Sequence, residues 1–281
     1  MAIDKFLATK YTAIVENAAQ EQSVAALVTN RAYQVDADGA KSVKINQVGD
    51  ITIGSYTPGS DISVQELSDS QVSLNLDQSN YFAFYADLQD MAQSQADFMT
   101  AASNKAGKKI ALTADTYVFG SNTYGNVSIP AGNKFGSIGS SIALTTTNIE
   151  EYLDKLATAL RTNHVTDGGF CVLPPKAMSL IRRAGFASVT DNSAMWAGRT
   201  VAQYAGLTLV ESTQVAAAGS GSDEYQILAF SKRAIPMAVS VNAFQIMDAE
   251  KRFAKLIKGL YNYGAVVMFP SEVGVLSATI A

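Results

Sequence analysis

The sequence is poor in the residues that most often carry chemistry: its 281 positions include one histidine, one cysteine and one tryptophan. A lone Cys171 cannot form an intramolecular disulfide, so a reducing interior is the expected compartment. Beside Phe170, Val172 and Leu173 it reads as a small buried hydrophobe. His164, in Thr162-Asn163-His164-Val165-Thr166-Asp167-Gly168-Gly169, could be grouped with Asp167 and Cys171. One imidazole and one thiol are a thin ligand supply, however, and their spacing matches no zinc pattern, so His164 is read as part of a solvent-exposed turn. Charge is scarce too: charged residues make up 16% of the chain, against roughly 25% in an average soluble protein. The net charge of −4 offers no basic field for gripping nucleic acid, and contact with it is expected to be local and weak. No stretch approaches the roughly 18 apolar residues of a membrane helix, Ala265 to Phe269 being far too short, and no membrane partner is expected. Asp4 and Lys5 precede any apolar run, so no signal peptide is expected either.

Catalytic motifs are missing as well. There is no Gly-x-Ser-x-Gly elbow, no Gly-Lys-Ser/Thr phosphate loop and no Gly-x-Gly-x-x-Gly after a strand. Gly219-Ser220-Gly221-Ser222 lacks a following helix and reads as a flexible loop. Glu150-Glu151 suit the first turn of a helix, and Asp223-Glu224 bound a loop. Basic residues gather at Lys105, Lys108 and Lys109 and at Lys251, Arg252, Lys255 and Lys258. These read as solvated faces or intersubunit ion pairs rather than as a nucleic-acid patch, since the first group has no interleaved aromatics. No catalytic residue, cofactor site or metal site is assigned. Ala, Ser, Thr, Asn, Gln and Gly are plentiful, and a surface with so little charge is one expected to be covered by other protein.

The organising element is a long amphipathic helix, a spine, predicted from about Asp87 to Tyr117 through Leu88, Met91, Phe98, Ala102, Ala106, Ile110 and Ala114, with Gly107 as its weak point. Residues 3 to 34 have a loose helical rhythm (Ile3, Phe6, Leu7, Tyr11, Ile14, Val15) but too few large apolar residues for a core, and read as an arm ordered against something else. From Lys41 to Leu76 the period is two: Val43, Ile45, Val48, Ile51 and Ile53 run out, and Ile62, Val64, Val72, Leu74 and Leu76 run back around a Pro58-Gly59 turn. A hairpin this long is marginal alone and must lie on another surface. Asn80 to Tyr85 reads as an aromatic strand leading into the core. Gly120 to Ser141 reads as a loop and a domain boundary. Thr147-Asn148-Ile149-Glu150 is a capping-box pattern for a helix through Leu153, Leu156 and Leu160. Strands are predicted at Gly169–Leu173, Gly206–Val210, Tyr225–Phe230, Met237–Met247, Ala265–Phe269 and Val273–Ile280, the last two returning beside the spine. A helix starts at Pro175. The fold class is α+β.

Arm, long hairpin, spine helix, mixed body and return segment, in that order, resemble the major capsid proteins of tailed bacteriophages, which have the HK97-like shell fold. Pro174-Pro175-Lys176-Ala177 resembles the strand-to-helix junction of that family's axial domain, and Gly206 to Val215 its glycine, strand, polar turn and valine segment. Ala229 to Ala234 and Gly259 to Val267 resemble its closing strands. The resemblance implies an arm at 1–35, an extended β-hairpin loop at 36–76 and a peripheral domain with the spine helix at 77–141. An axial domain at 142–243 and a return of the peripheral domain at 244–281 would follow. It implies a non-enzymatic protein that self-assembles into pentamers and hexamers, tiling an icosahedral shell around double-stranded DNA contacted weakly and non-specifically. Tyr56, Thr57, Pro58 and Gly59 at the hairpin tip, with Phe6 and Tyr11 in the arm, are the expected intersubunit contacts. Some members cross-link through a lysine near the hairpin tip; Lys41 and Lys44 lie near the base here, so no isopeptide bond is expected. Met1 favours a separate scaffolding protein, and portal and decoration proteins are further possible partners. The shell would belong to a virion assembled in the host cytoplasm.

Three rivals remain at this level: an encapsulin-type compartment around cargo protein, a β-rich surface or adhesion protein, and an enzyme of unrecognised type. The long helix and the absence of a secretion signal weigh against the second, and the missing motifs against the third.

Overall fold

The computed structural model describes residues 23–34, 40–49, 51–59, 61–87, 98–125, 128–165, 168–186, 188–191, 200–217, 223–249 and 253–280. In chain order the helices are α1 (Ala25–Val28), α2 (Phe98–Phe119), α3 (Ser121–Tyr124), α4 (Ile149–Thr162) and α5 (Pro175–Ala184). The strands are β1 (Ser42–Val48), β2 (Asp69–Asn75), β3 (Gln78–Asp87), β4 (Lys134–Phe135), β5 (Ile142–Leu144), β6 (Gly169–Leu173) and β7 (Ser188–Asp191), followed by β8 (Thr200–Tyr204), β9 (Leu207–Glu211), β10 (Glu224–Phe230), β11 (Met237–Asp248), β12 (Ala254–Ala265) and β13 (Val273–Ile280).

An eight-stranded mixed sheet divides the core. Its order is β4-β13-β10-β6-β9-β8-β7, with β5 also on β13. Because strand side chains alternate, Cys171, Leu173, Leu209, Ile227 and Leu276 point to one side, where Leu153, Leu156 and Leu160 of α4 and Met178 and Ile181 of α5 cover them. Val172, Val210, Leu228, Phe230, Val273 and Val275 point to the other, into a core shared with Ile110, Ala114, Val118 and Phe119 of α2 and with Tyr261 and Tyr263 of β12. Both faces are dry, so these strands read as apolar runs rather than as alternating ones.

The second sheet has three antiparallel strands, β11-β12-β3, with a register shift between Val241 and Ala243. Here the aromatic strand differs from expectation. It forms β3, but at the sheet edge, with Tyr81 and Tyr85 exposed. Phe82 is half-buried and packs on Gly259, where a Cβ would lie 2.4 Å from its ring.

The spine is α2, one unbroken helix of 22 residues, or about 33 Å. Gly107 is buried within it. The predicted start at Asp87 is corrected, since Asp87 closes β3, and residues 88–97 lie outside the described chain. Four further expectations change. The ladder of the hairpin is shorter, because residues 51–59 and 61–68 form no strand. The segment after β12 is not a strand: Val266 and Met268 donate their N–H groups to the carbonyls of Pro236 and Ala234. The capping box does not form. Asn148 is the N-cap, with no side-chain cap bond, and its amide is spent on Thr145 N–H (2.8 Å) and the Ala143 carbonyl (2.8 Å). The Gly-rich stretch before β5 holds β4, which with β5 runs parallel to β13.

Candidate assembly interface

The hairpin is held at its foot and left bare at its tip. β1 and β2 pair from Ser42↔Asn75 to Val48↔Asp69, closed by Leu76 N–H on the Lys41 carbonyl (2.9 Å) and Gly49 N–H on that of Ser68 (2.8 Å). Period-two alternation puts Val43, Ile45, Leu74 and Leu76 on one face, where they meet Ala238 in a small separate core. The foot lies against β12 so closely that a Cβ on Gly264 would fall 1.9 Å from the Asn75 carbonyl oxygen, a contact only glycine permits.

Beyond Gly49 and Ser68 the pattern loses its partner. Gln65 still accepts the Thr52 N–H at 2.8 Å, but Ile53 is 93% and Val64 86% exposed, and Ile51, Ile62 and Leu67 are exposed as well. The tip turns at Pro58-Gly59, where Gly59 takes φ +89°, the backbone a proline–glycine turn needs at its third residue. Tyr56 is 67% exposed and Thr57, Pro58 and Gly59 are also exposed. These four predicted contacts therefore share one unburied tip. Phe6 and Tyr11, the two arm contacts, lie outside the described residues.

What is described of the arm is tied down by a residue that sequence reading passed over. Asp115 on α2 is buried and accepts Ser23 Oγ–H (2.6 Å), Val24 N–H (2.8 Å) and Ala25 N–H (3.0 Å). These are orphan donors at the start of α1, capped by a carboxylate from a distant helix instead of a local side chain. An aspartate on the apolar stripe of an amphipathic helix was the available signal. Further along, Asn30 exchanges backbone bonds with Ile235 and Met237.

The chemical candidates stay apart. His164 is exposed in a left-handed turn (φ 62°) closing α4. Cys171 is fully buried, and burial pushes its thiol up to about 12. Burial likewise raises Tyr124, whose hydroxyl donates to Gln226 Oε1 at 2.6 Å. Glu224, read as bounding a loop, opens β10 instead, where it is buried and accepts the Gly139 N–H. Glu150 and Glu151 sit in the first turn of α4, where Glu151 pairs with Lys155 at 2.6 Å. A cleft of about 330 Å³ is lined by His164, Lys232 and Arg233, but Arg233 is already committed to the buried Glu272 at 2.6 Å. Among the described residues no His, Cys, Asp and Glu group could hold a metal ion, and no helix is long and apolar enough to cross a membrane.

No family model matches this sequence, and no curated protein matches it either. Solved structures do. A chain of Mycobacterium phage Che8 is 21% identical with a TM-score of 0.66, the match covering 91% of each chain. A chain in the capsid of the cyanophage P-SCSP1u is 18% identical, TM-score 0.62, over 91% of this chain and 87% of that one. The chain has the HK97-like shell fold. The same HK97-like architecture extends to the SrpI encapsulin of Synechococcus elongatus, 13% identical, TM-score 0.57, over 85% of this chain and 82% of that one. Within this HK97-like chain the hairpin tip is left exposed, whereas the described start of the arm, with Val24, Ala25 and Val28, is buried beside Asp115.

Proposed function

We propose that this chain is the major capsid protein of a tailed phage. In this reading it self-assembles into pentamers and hexamers that close an icosahedral shell around double-stranded DNA in a virion assembled in the host cytoplasm. Arm (1–35), hairpin (36–76), peripheral domain (77–141 with 244–281) and axial domain (142–243) divide the work, and the protein acts structurally rather than as an enzyme. The observation that carries the reading is the hairpin tip. A chain with 16% charged residues holds out Ile53 and Val64 almost fully exposed; scattered surface apolar residues are ordinary, but a contiguous apolar projection marks an interaction site. Its fit is to a second copy, reached through Tyr56, Thr57, Pro58 and Gly59, with Phe6 and Tyr11 of the arm reaching another. Scaffolding, portal and decoration proteins would be separate chains.

The likeness to the SrpI encapsulin supports a second reading, a compartment enclosing cargo protein. Electron microscopy of the purified protein tests the shell: closed polyhedra or rings of five and six are expected, and a uniform monomer would refute it. What co-purifies decides between the two, genomic DNA for the virion and an enzyme cargo for the compartment. Deleting residues 56–61 is expected to leave soluble subunits that fail to close shells.

A further inference from the structure

The face of the large sheet that packs on α2 changes character along the β10–β13 ladder. Phe230 lies opposite Val273 and Leu228 opposite Val275, both pairs apolar, but the next pair on that face is Gln226 opposite Ser277. Burial does not relax there, since Gln226 is 8% and Ser277 3% exposed. The Tyr124 hydroxyl, at the end of α3, donates to Gln226 Oε1 at 2.6 Å. The other end of that amide, Nε2, and the Ser277 hydroxyl have no hydrogen-bond partner among the described residues. Neither atom is sealed in, because both residues line a cavity of about 420 Å³.

The cavity has a polar floor and apolar walls. Tyr124, Gln226 and Ser277 make the floor, and Ile129 and Val275, both buried, rise beside it. Ile138, 61% exposed, stands at the mouth on a tight turn in which Ser137 and Ser140 exchange backbone bonds and Gly139 takes φ +81°. The buried Glu224 holds that turn in place by accepting the Gly139 N–H at 3.0 Å. An amide N–H and a hydroxyl left unpaired on a dry face are costly, whereas Leu and Val at the same two positions would simply continue the core. An apolar pocket of roughly 300–1,000 Å³ with a few convergent polar groups is the usual form of a small-molecule site. We infer that this cavity binds a small neutral molecule with an apolar body and a carboxamide head. The head's carbonyl accepts from Gln226 Nε2 and the Ser277 hydroxyl. Its N–H donates to the Tyr124 phenol oxygen, whose own proton is held by Gln226, and the body lies between Ile129, Val275 and Ile138. A carboxylate fits less well, because it brings no proton for the phenol oxygen and loses its hydration on entering an apolar space. The one cation of the lining, Lys134, is exposed to solvent. No residue of the lining comes from the hairpin or the arm, so the inference stands apart from the shell reading.

Benzamide is the probe, added to the full-length chain and read by saturation-transfer NMR and by melting temperature. Saturable binding is expected, with a melting temperature that climbs with probe concentration. Toluene keeps the ring without the head, and benzoate replaces the amide by a charge; both are expected to bind at least about tenfold more weakly. Gln226→Leu is expected to cut benzamide affinity by at least about tenfold and to leave that for toluene within about twofold. Ile138→Trp changes an exposed position, narrows the mouth and should weaken both probes, so a Gln226→Leu chain that fails to fold still leaves the cavity testable. Absence of saturable benzamide binding means that the cavity holds solvent only and overturns the inference. Unchanged benzamide affinity in Ile138→Trp overturns it by placing the probe elsewhere, and equal affinity for benzamide and toluene does so by showing that the polar floor is not read. Benzoate binding more tightly than benzamide overturns it in favour of an anion drawn by Lys134. Each of these results leaves the shells seen by electron microscopy, and the reading built on them, untouched.

Discussion

The carboxylate of Asp115 and the backbone N–H of Val24 are 2.8 Å apart across 91 residues of sequence, both buried. That bond, with those to Ser23 and Ala25, fixes where the arm leaves the spine helix. Asp115→Ala leaves a hydroxyl and two N–H groups buried without an acceptor, and a buried unsatisfied donor costs about 1–3 kcal/mol. Loss of about 2–4 kcal/mol in denaturant unfolding is expected, with hydrogen exchange at residues 24–28 accelerating more than exchange in β10. Asp115→Asn keeps one acceptor and should lose about half as much.

Gly264 and Asn75 set the other anchor. A methyl group at Gly264 would meet a carbonyl oxygen at 1.9 Å, and that oxygen is backbone with no rotamer to yield. Gly264→Ala is expected to lift the hairpin foot from β12, lowering stability by about 1–3 kcal/mol. Assembly should suffer beyond what the loss of stability explains, because the foot aims the tip. Comparing shell yield with subunit melting temperature separates the two effects.

Much of this architecture was legible where one period governed one element. The helices at Ile149 and Pro175 announced themselves by apolar spacing and by proline at the first turn. So did the strands beginning at Gly169, Met237 and Val273. What stayed hidden was pairing across distance. β12 carries Lys255, Lys258, Gly259 and Gly264, a composition weak for a strand, and it is a strand because β11 and β3 flank it on both sides. The hairpin failed in the opposite way. Ile53 and Ile62 alternate as a strand should, yet no ladder forms there within a single chain. Alternation reports a face meant for burial, and here the partner lies outside the molecule, on the reading proposed above. Tyr56, Thr57, Pro58 and Gly59 could be picked from their turn chemistry, whereas Asp115 could be found only by asking why a carboxylate sits on an apolar stripe.

His164 is a helix stop. Its N–H bonds the Arg161 carbonyl (2.9 Å) and that of Val165 the Leu160 carbonyl (3.1 Å), while Val165 and Leu160 are both buried. This is the Schellman arrangement, with His164 at the left-handed position that glycine fills most easily. His164→Gly is therefore expected to stabilise the protein by about 0.5–1 kcal/mol through relief of backbone strain. Raised melting temperature with unchanged assembly is the expected pair of results, and a loss of assembly would show that the imidazole does something more.

Cys171 makes the alkaline limit of stability testable. Burial raises its thiol from 9.0 to about 12, so the folded state keeps a proton that the unfolded chain releases. Below the unfolded value both states are protonated and the contribution is complete. As pH rises from there towards the folded value the unfolded chain is favoured, by up to about 1.4 kcal/mol per pH unit. Tyr124, raised by burial in the same direction, adds a loss that begins only above its ordinary value of 10.0. Between pH 9 and 10 the slope should therefore belong mainly to the thiol. Cys171→Ala removes the titrating group at the cost of a small cavity. It should start less stable at pH 7 yet fall more gently between pH 9 and 10, which urea unfolding at half-unit steps would resolve. Parallel slopes for the two proteins would mean that the thiol reaches solvent in the folded state, and rapid alkylation of native protein at pH 8 would say the same by an independent route.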